Sequence, residues 1–92
     1  MAVSTASRLA EGRADWPTPD HSIDASGLYC PEPVMRLQHK MRALAPGETL
    51  EVVATDPSTE RDIPKFCQFL DHELLRSAQV DGRYHYLVKK GG

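Results

Sequence analysis

The sequence predicts an α/β fold: a two-layer sandwich of order β-α-β-α-β-β, with two helices on one face of a four-stranded mixed sheet. Three observations predict it. Val34, Leu37, Met41 and Leu44 recur at i, i+3, i+7 and i+10, the single apolar stripe of an amphipathic helix. The stretch ETLEVVAT is rich in β-branched and apolar residues over the length of a buried strand. Near the end, Glu73 to Val80 and Tyr84 to Lys89 flank Asp81-Gly82-Arg83, a glycine-containing hairpin connection. A chain of 92 residues has room for one such core.

Taken in order, residues 1–19 are rich in Ala, Ser, Arg and Pro without a sustained period and end in the turn-prone WPTPD, which reads as a mobile tail before a domain over 20–92. Trp16 is the exception in that tail, a ring that either docks on the domain or meets a partner. His21 to Ala25 reads as a short first strand with Ile23 pointing inward, and SGLY as a loop. The first helix is expected to begin at Cys30 and to end at Pro46-Gly47, and the second strand to run through Ala54. Asp56-Pro57 has the form of an N-cap followed by a proline at the first helical position, so the second helix starts there or at Asp62. Ile63, Phe66, Cys67 and Leu70 form its inward stripe, Phe69 falls off that stripe, and Pro64 is expected to kink or delay the helix.

Composition narrows the function classes. A net charge of -2 supplies no positive field for a nucleic-acid backbone, so direct RNA or DNA binding is not expected. Two cysteines are too few for a secreted disulfide scaffold of this size, and a reducing compartment fits them better. No signal-type apolar segment and no run of membrane-spanning length occur, which points to a cytoplasmic protein away from the membrane. Without C-x-x-C, H-x-x-x-H or a local Cys/His cluster, no metal site is expected. The four histidines, His21, His39, His72 and His85, read as surface or sheet-edge residues, and the ERDIPK and HKMR stretches as solvated helix faces.

The chemistry concentrates in LYCPEPVM. With Cys30 as N-cap, Pro31 takes the first and Pro33 the third helical position, where a missing N–H costs no helical bond. The two rings fix the first turn and leave the Cys30 side chain at the positive end of the helix dipole, which favours a thiolate or persulfide anion there. Helix N-termini lower a thiol pKa, so Cys30 is expected to be partly thiolate near neutral pH, with Glu32 opposing this modestly. No histidine is spaced to serve as its base, which argues against self-contained hydrolysis. Cys67 shares the stripe of Ile63, Phe66 and Leu70 and reads as a buried structural thiol.

GLYCPEPVM, PGETLEVVATDPSTERDIPKFCQFLDHEL and YHYLVKKGG together resemble the TusA sulfurtransferases of the TusA/SirA-like family, over roughly residues 20–92. The family's Cys-Pro-x-Pro mark is met by Cys30, Pro31, Glu32 and Pro33. The resemblance implies a sandwich like the C-terminal domain of bacterial translation initiation factor three. It implies that Cys30 is the catalytic persulfide acceptor, taking sulfur from a PLP-dependent cysteine desulfurase and passing it to a downstream relay complex. That relay ends in 2-thiouridine at the wobble base of certain tRNAs. PLP belongs to the donor, and the carrier itself is expected to bind no cofactor and to act as a monomer. The helix tip is the expected docking patch. Met35 and Phe69 there are either contacts or secondary packing, and Arg36 and Arg42 are available to acidic partner groups.

Two other readings stand beside this one. The ending Lys-Lys-Gly-Gly resembles that of ubiquitin-like sulfur carriers, which load a thiocarboxylate on their terminal glycine, although those have a β-grasp order and no use for CPEP. A non-catalytic adaptor, or an RNA-binding module by analogy of fold, is the alternative from another class, and fold alone does not assign function.

Overall fold

The computed structural model describes residues Trp16–Gly91. The chain forms β1 (His21–Ala25), α1 (Glu32–Arg42), β2 (Thr49–Ala54), α2 (Thr59–Phe69), β3 (Glu73–Val80) and β4 (Arg83–Lys89). The expected element order is therefore the observed one. The tail over 1–15 and the terminal Gly92 lie outside the described residues; Trp16, which precedes β1, is half-buried.

One four-stranded sheet runs in the order β1-β2-β4-β3. β1 pairs parallel to β2 with Ile23 opposite Val52, and β4 pairs antiparallel to both β2 and β3. The alternation of side chains across the pleat sends Leu50 and Val52 of β2 and Tyr86 and Val88 of β4 to one face, where they meet both helices. From α1, Leu37 and Met41 enter this core, and from α2, Ile63, Phe66 and Cys67. Each fully buried Leu, Ile or Val among them contributes about 1.5–3 kcal/mol relative to exposure. On the other face of the sheet, Glu51 of β2 and His85 of β4 pair at 3.2 Å, both largely buried.

Four boundaries differ from the sequence reading, each for a local reason. α1 begins at Glu32 with Pro31, not Cys30, as its N-cap, because the first helical acceptor is the Pro31 carbonyl, which takes the Met35 N–H at 3.1 Å. A residue before proline is pushed away from helical conformation, which keeps Cys30 outside the helix; the Cys30–Pro31 peptide is cis. Pro33 thus sits at the second helical position, still among the orphan donors. At its other end α1 stops at Arg42, short of Pro46, and Leu44 reaches the core from the turn that follows. There the Lys90 ammonium donates to the Met41 carbonyl, which also accepts the Leu44 N–H, and places a positive charge at the helix end.

α2 begins at Thr59, between the two expected starts. Asp56 and Pro57 instead form a preceding turn in which the Thr59 N–H donates to the Asp56 carbonyl at 3.0 Å. The helix continues through Pro64 from Thr59 to Phe69, although this residue has no N–H to donate. The β3–β4 hairpin turns in two residues rather than three: Asp81 (φ 51°) and Gly82 (φ 78°) both take positive φ, and Arg83 already pairs with Val80. That is the turn whose twist suits a two-residue hairpin.

Candidate functional site

Parallel pairing of β1 and β2 places the C-terminal ends of both strands at one edge of the molecule, so the loops that leave them are neighbours. The loop after β1 carries Cys30, and the loop after β2 carries Asp56 and leads into the first turns of α2. Hydrogen bonds stitch the two together. The Gly27 N–H donates to Thr55 Oγ1 at 2.8 Å, and the Cys30 N–H donates to Asp56 Oδ2 at 2.7 Å. Asp56 also accepts from the Ser58 N–H at 3.1 Å and from the Ser58 hydroxyl at 2.9 Å. These donors hold the Asp56 carboxyl below the usual carboxylate range, with the Ser58 N–H contributing most and the Cys30 N–H next.

The Cys30 thiol is exposed and donates to Asp62 Oδ2 at 3.3 Å. The second Asp62 oxygen accepts from Arg61 Nε at 3.1 Å, which fixes the carboxylate toward the sulfur. The expectation of a lowered thiol pKa is corrected here. The bond to Asp62 stabilises the protonated thiol and raises its pKa, and desolvation and the negative charge of Asp62 add to this. The dipole at the α1 N-terminus favours an anion, whereas the Asp62 carboxylate in contact with the sulfur opposes one.

Two apolar patches flank the sulfur. One is a groove between the helices lined by Pro31, Val34, Asp62, Lys65, Phe66 and Phe69, in which Phe69 is 85% exposed. The other lies along the outer side of α1, where Leu28, Glu32, Met35 and Arg36 gather and Met35 is 58% exposed. Pro31 and Glu32 are exposed, whereas Pro33 is buried beneath them. Met35 and Phe69 thus stand out from the core rather than in it, Met35 in the cleft along α1 and Phe69, the last residue of α2, in the groove between the helices. Arg42 is not part of this surface, since it lies at the far end of α1, about 15 Å along the axis from Glu32. Tyr29, 74% exposed beside Cys30, joins the surface without having been anticipated.

Cys67 is buried against the core, its thiol pushed up to about 11 by desolvation, and both cysteines are free. The residues that sequence reading missed are Asp56, read only as a helix cap, and Asp62, read as part of a solvated face. Parallel pairing of the first two strands was the signal that would have brought their loops together.

The family model described as Sulfurtransferase TusA matches residues 21–90. The chain belongs to the TusA family. It is 59% identical over 71 residues to the sulfur carrier protein TusA of Pseudomonas paraeruginosa, covering 77% of this chain and 90% of that protein. Against the sulfur carrier protein TusA of Pseudomonas putida it is 59% identical over 73 residues, covering 79% of this chain and 91% of the relative. A crystal structure of a SirA-like protein from Desulfitobacterium hafniense superposes with a TM-score of 0.70 at 22% identity, covering 78% of this chain and 99% of the other. That likeness bears on the fold, and it agrees with two helices on an open four-stranded mixed sheet. Among the described residues of this TusA-family chain, no helix is long and apolar enough to cross a membrane.

Proposed function

We propose that this chain is a sulfur carrier that accepts sulfane sulfur on Cys30 as a persulfide, from the persulfide of a PLP-dependent cysteine desulfurase. It then hands the sulfur to a downstream relay complex that forms 2-thiouridine at the tRNA wobble position. The coarse role, a sulfur carrier with relay partners, follows from membership of the TusA family. The observation that supports Cys30 as the carrier atom is its placement: an exposed thiol on a loop held by hydrogen bonds, with Pro31 and Pro33 shaping the turn beneath it. Transfer between cysteines requires a sulfur that two successive proteins can reach, and a projecting loop flanked by exposed Met35 and Phe69 offers that access. The carrier brings no cofactor of its own in this reading and works in the cytoplasm.

The reading in which the C-terminal glycine carries the sulfur has less support. The Gly91 N–H donates to His72 Nδ1 at 3.0 Å, and a Cβ added at Gly91 would meet the Asp71 carbonyl oxygen at 1.8 Å. Gly91, the residue before the terminal glycine, is thus held against the fold. The pathway is tested by the 2-thiouridine content of tRNA from cells that carry either the wild-type gene or Cys30→Ser as the sole copy. Loss in the variant is expected; unchanged 2-thiouridine would overturn the tRNA assignment and favour an adaptor.

A further inference from the structure

The pairing of a nucleophilic sulfur with a carboxylate is unusual for a group that must attack. A thiolate is the reactive form, and a carboxylate in contact with it favours the thiol. Two carboxylates bond to Cys30, Asp62 of α2 to its thiol and Asp56 of the preceding loop to its N–H, while Lys65 of α2 lines the adjoining groove. On its own side, Glu32 lines the opposite cleft of α1. Arg61 and Lys65 are exposed, and Arg61 is held on the Asp62 oxygen remote from the sulfur. The sulfur therefore sees carboxylates first.

We propose that Asp62 is a positioning residue that holds the unloaded Cys30 as an aimed thiol until a basic group of the sulfur donor pairs with Asp62 and frees the sulfur to attack. The inference rests on Cys30 being the carrier atom. It adds the chemistry of the donor surface, which must bring an Arg or Lys to the Asp62–Asp56 edge. In the transfer, the Cys30 S–H bond breaks, a bond forms from Cys30 Sγ to the outer sulfur of the donor persulfide, and the donor S–S bond breaks. The donor cysteine leaves as a thiolate and takes up the proton, so one sulfur moves from thiol to thiol with no net oxidation. A free carrier held in the thiol form is also a poor target for stray electrophiles.

The test compares wild type, Asp62→Asn and, as a control for charge alone, Glu60→Gln, which lies on the same turn of α2. Alkylation of Cys30 by iodoacetamide is followed against pH by peptide mass. Asp62→Asn is expected to move the profile to lower pH. Its rate at pH 7 should rise about threefold for every pH unit that the profile moves, since the lost basicity partly offsets the gained thiolate. Glu60→Gln is expected to follow wild type. Loading is then measured with two donors. With cysteine persulfide, Asp62→Asn is expected to load faster than wild type, and with the desulfurase the difference is expected to vanish because the donor has already neutralised Asp62. An unchanged alkylation profile, or an advantage of equal size with both donors, overturns the proposal. A displaced profile with no sulfur on Cys30 from either donor instead overturns the carrier reading and leaves the Cys30–Asp62 coupling standing.

Discussion

The Cys30 N–H donates to Asp56 Oδ2 at 2.7 Å, a bond that ties the loop after β1 to the turn before α2 across 26 residues of sequence. The same carboxylate caps Ser58, so one side chain supports both the cysteine loop and the start of the second helix.

Removing it has a pH-dependent consequence. Asp56→Ala is expected to lower the urea midpoint at pH 7. The folded-state pKa of Asp56 is depressed, so its contribution is present above the ordinary value of 3.8 and is lost as pH falls through the lower folded value. Urea titrations of both proteins from pH 7 downward should therefore converge in acid.

A buried hydroxyl pair gives an asymmetric result. Thr59 Oγ1 donates to the Asp56 carbonyl at 2.8 Å, so its single proton is spent and the Tyr86 hydroxyl, 2.8 Å away, must donate to Thr59. Thr59→Val leaves the buried Tyr86 hydroxyl without its acceptor, while the Asp56 carbonyl keeps the Thr59 N–H, and is expected to cost about 1–3 kcal/mol, whereas Tyr86→Phe removes one net bond for about 0.5–1.5 kcal/mol. Chemical denaturation of the two variants checks the order, and equal costs would contradict the assignment of donors.

Cys67 is expected to behave as a core thiol. In the native protein it should resist alkylation at pH 7 while Cys30 reacts, and it should react fully in denaturant. Its folded pKa, pushed up to about 11 from an ordinary 9.0, favours the neutral form in the core. This contribution is fully present below pH 9 and is lost as pH rises toward 11, so thermal midpoints of wild type should fall through that window more steeply than those of Cys67→Ala.

The exposed flank predicts a separation of donor from chemistry. Phe69→Ala removes an exposed ring at the groove beside Cys30 without touching the core. Loading from the desulfurase is expected to fall by roughly tenfold, the effect of losing about 1.4 kcal/mol of contact, while loading from cysteine persulfide stays unchanged. A parallel loss with both donors would place Phe69 in the structure of the loop instead.

Much of this molecule was legible from its sequence because the signals are local. The stripe of Leu37 and Met41, the strand of Leu50 and Val52 and the turn at Gly82 each follow from spacing within one element. The Cys30 motif is likewise contiguous. What escaped depended on tertiary placement. Asp62 meets Cys30 from 32 residues away and Thr59 meets Tyr86 from 27. The thiol pKa was misjudged for the same reason: the dipole of its own helix is visible in the sequence, whereas the carboxylate from α2 appears only once β1 and β2 are paired. Helix ends slipped by a few residues where side-chain bonds, such as those of Asp56, compete with the helical ones.

The central claim is tested most directly by the intact mass of wild type and Cys30→Ser after incubation with a cysteine desulfurase, PLP and cysteine, each with and without reductant. The account predicts a gain of one sulfur on wild type, erased by reductant and absent from Cys30→Ser. Sulfur retained on Cys30→Ser would contradict it and move the carrier atom to Cys67 or the terminal Gly92.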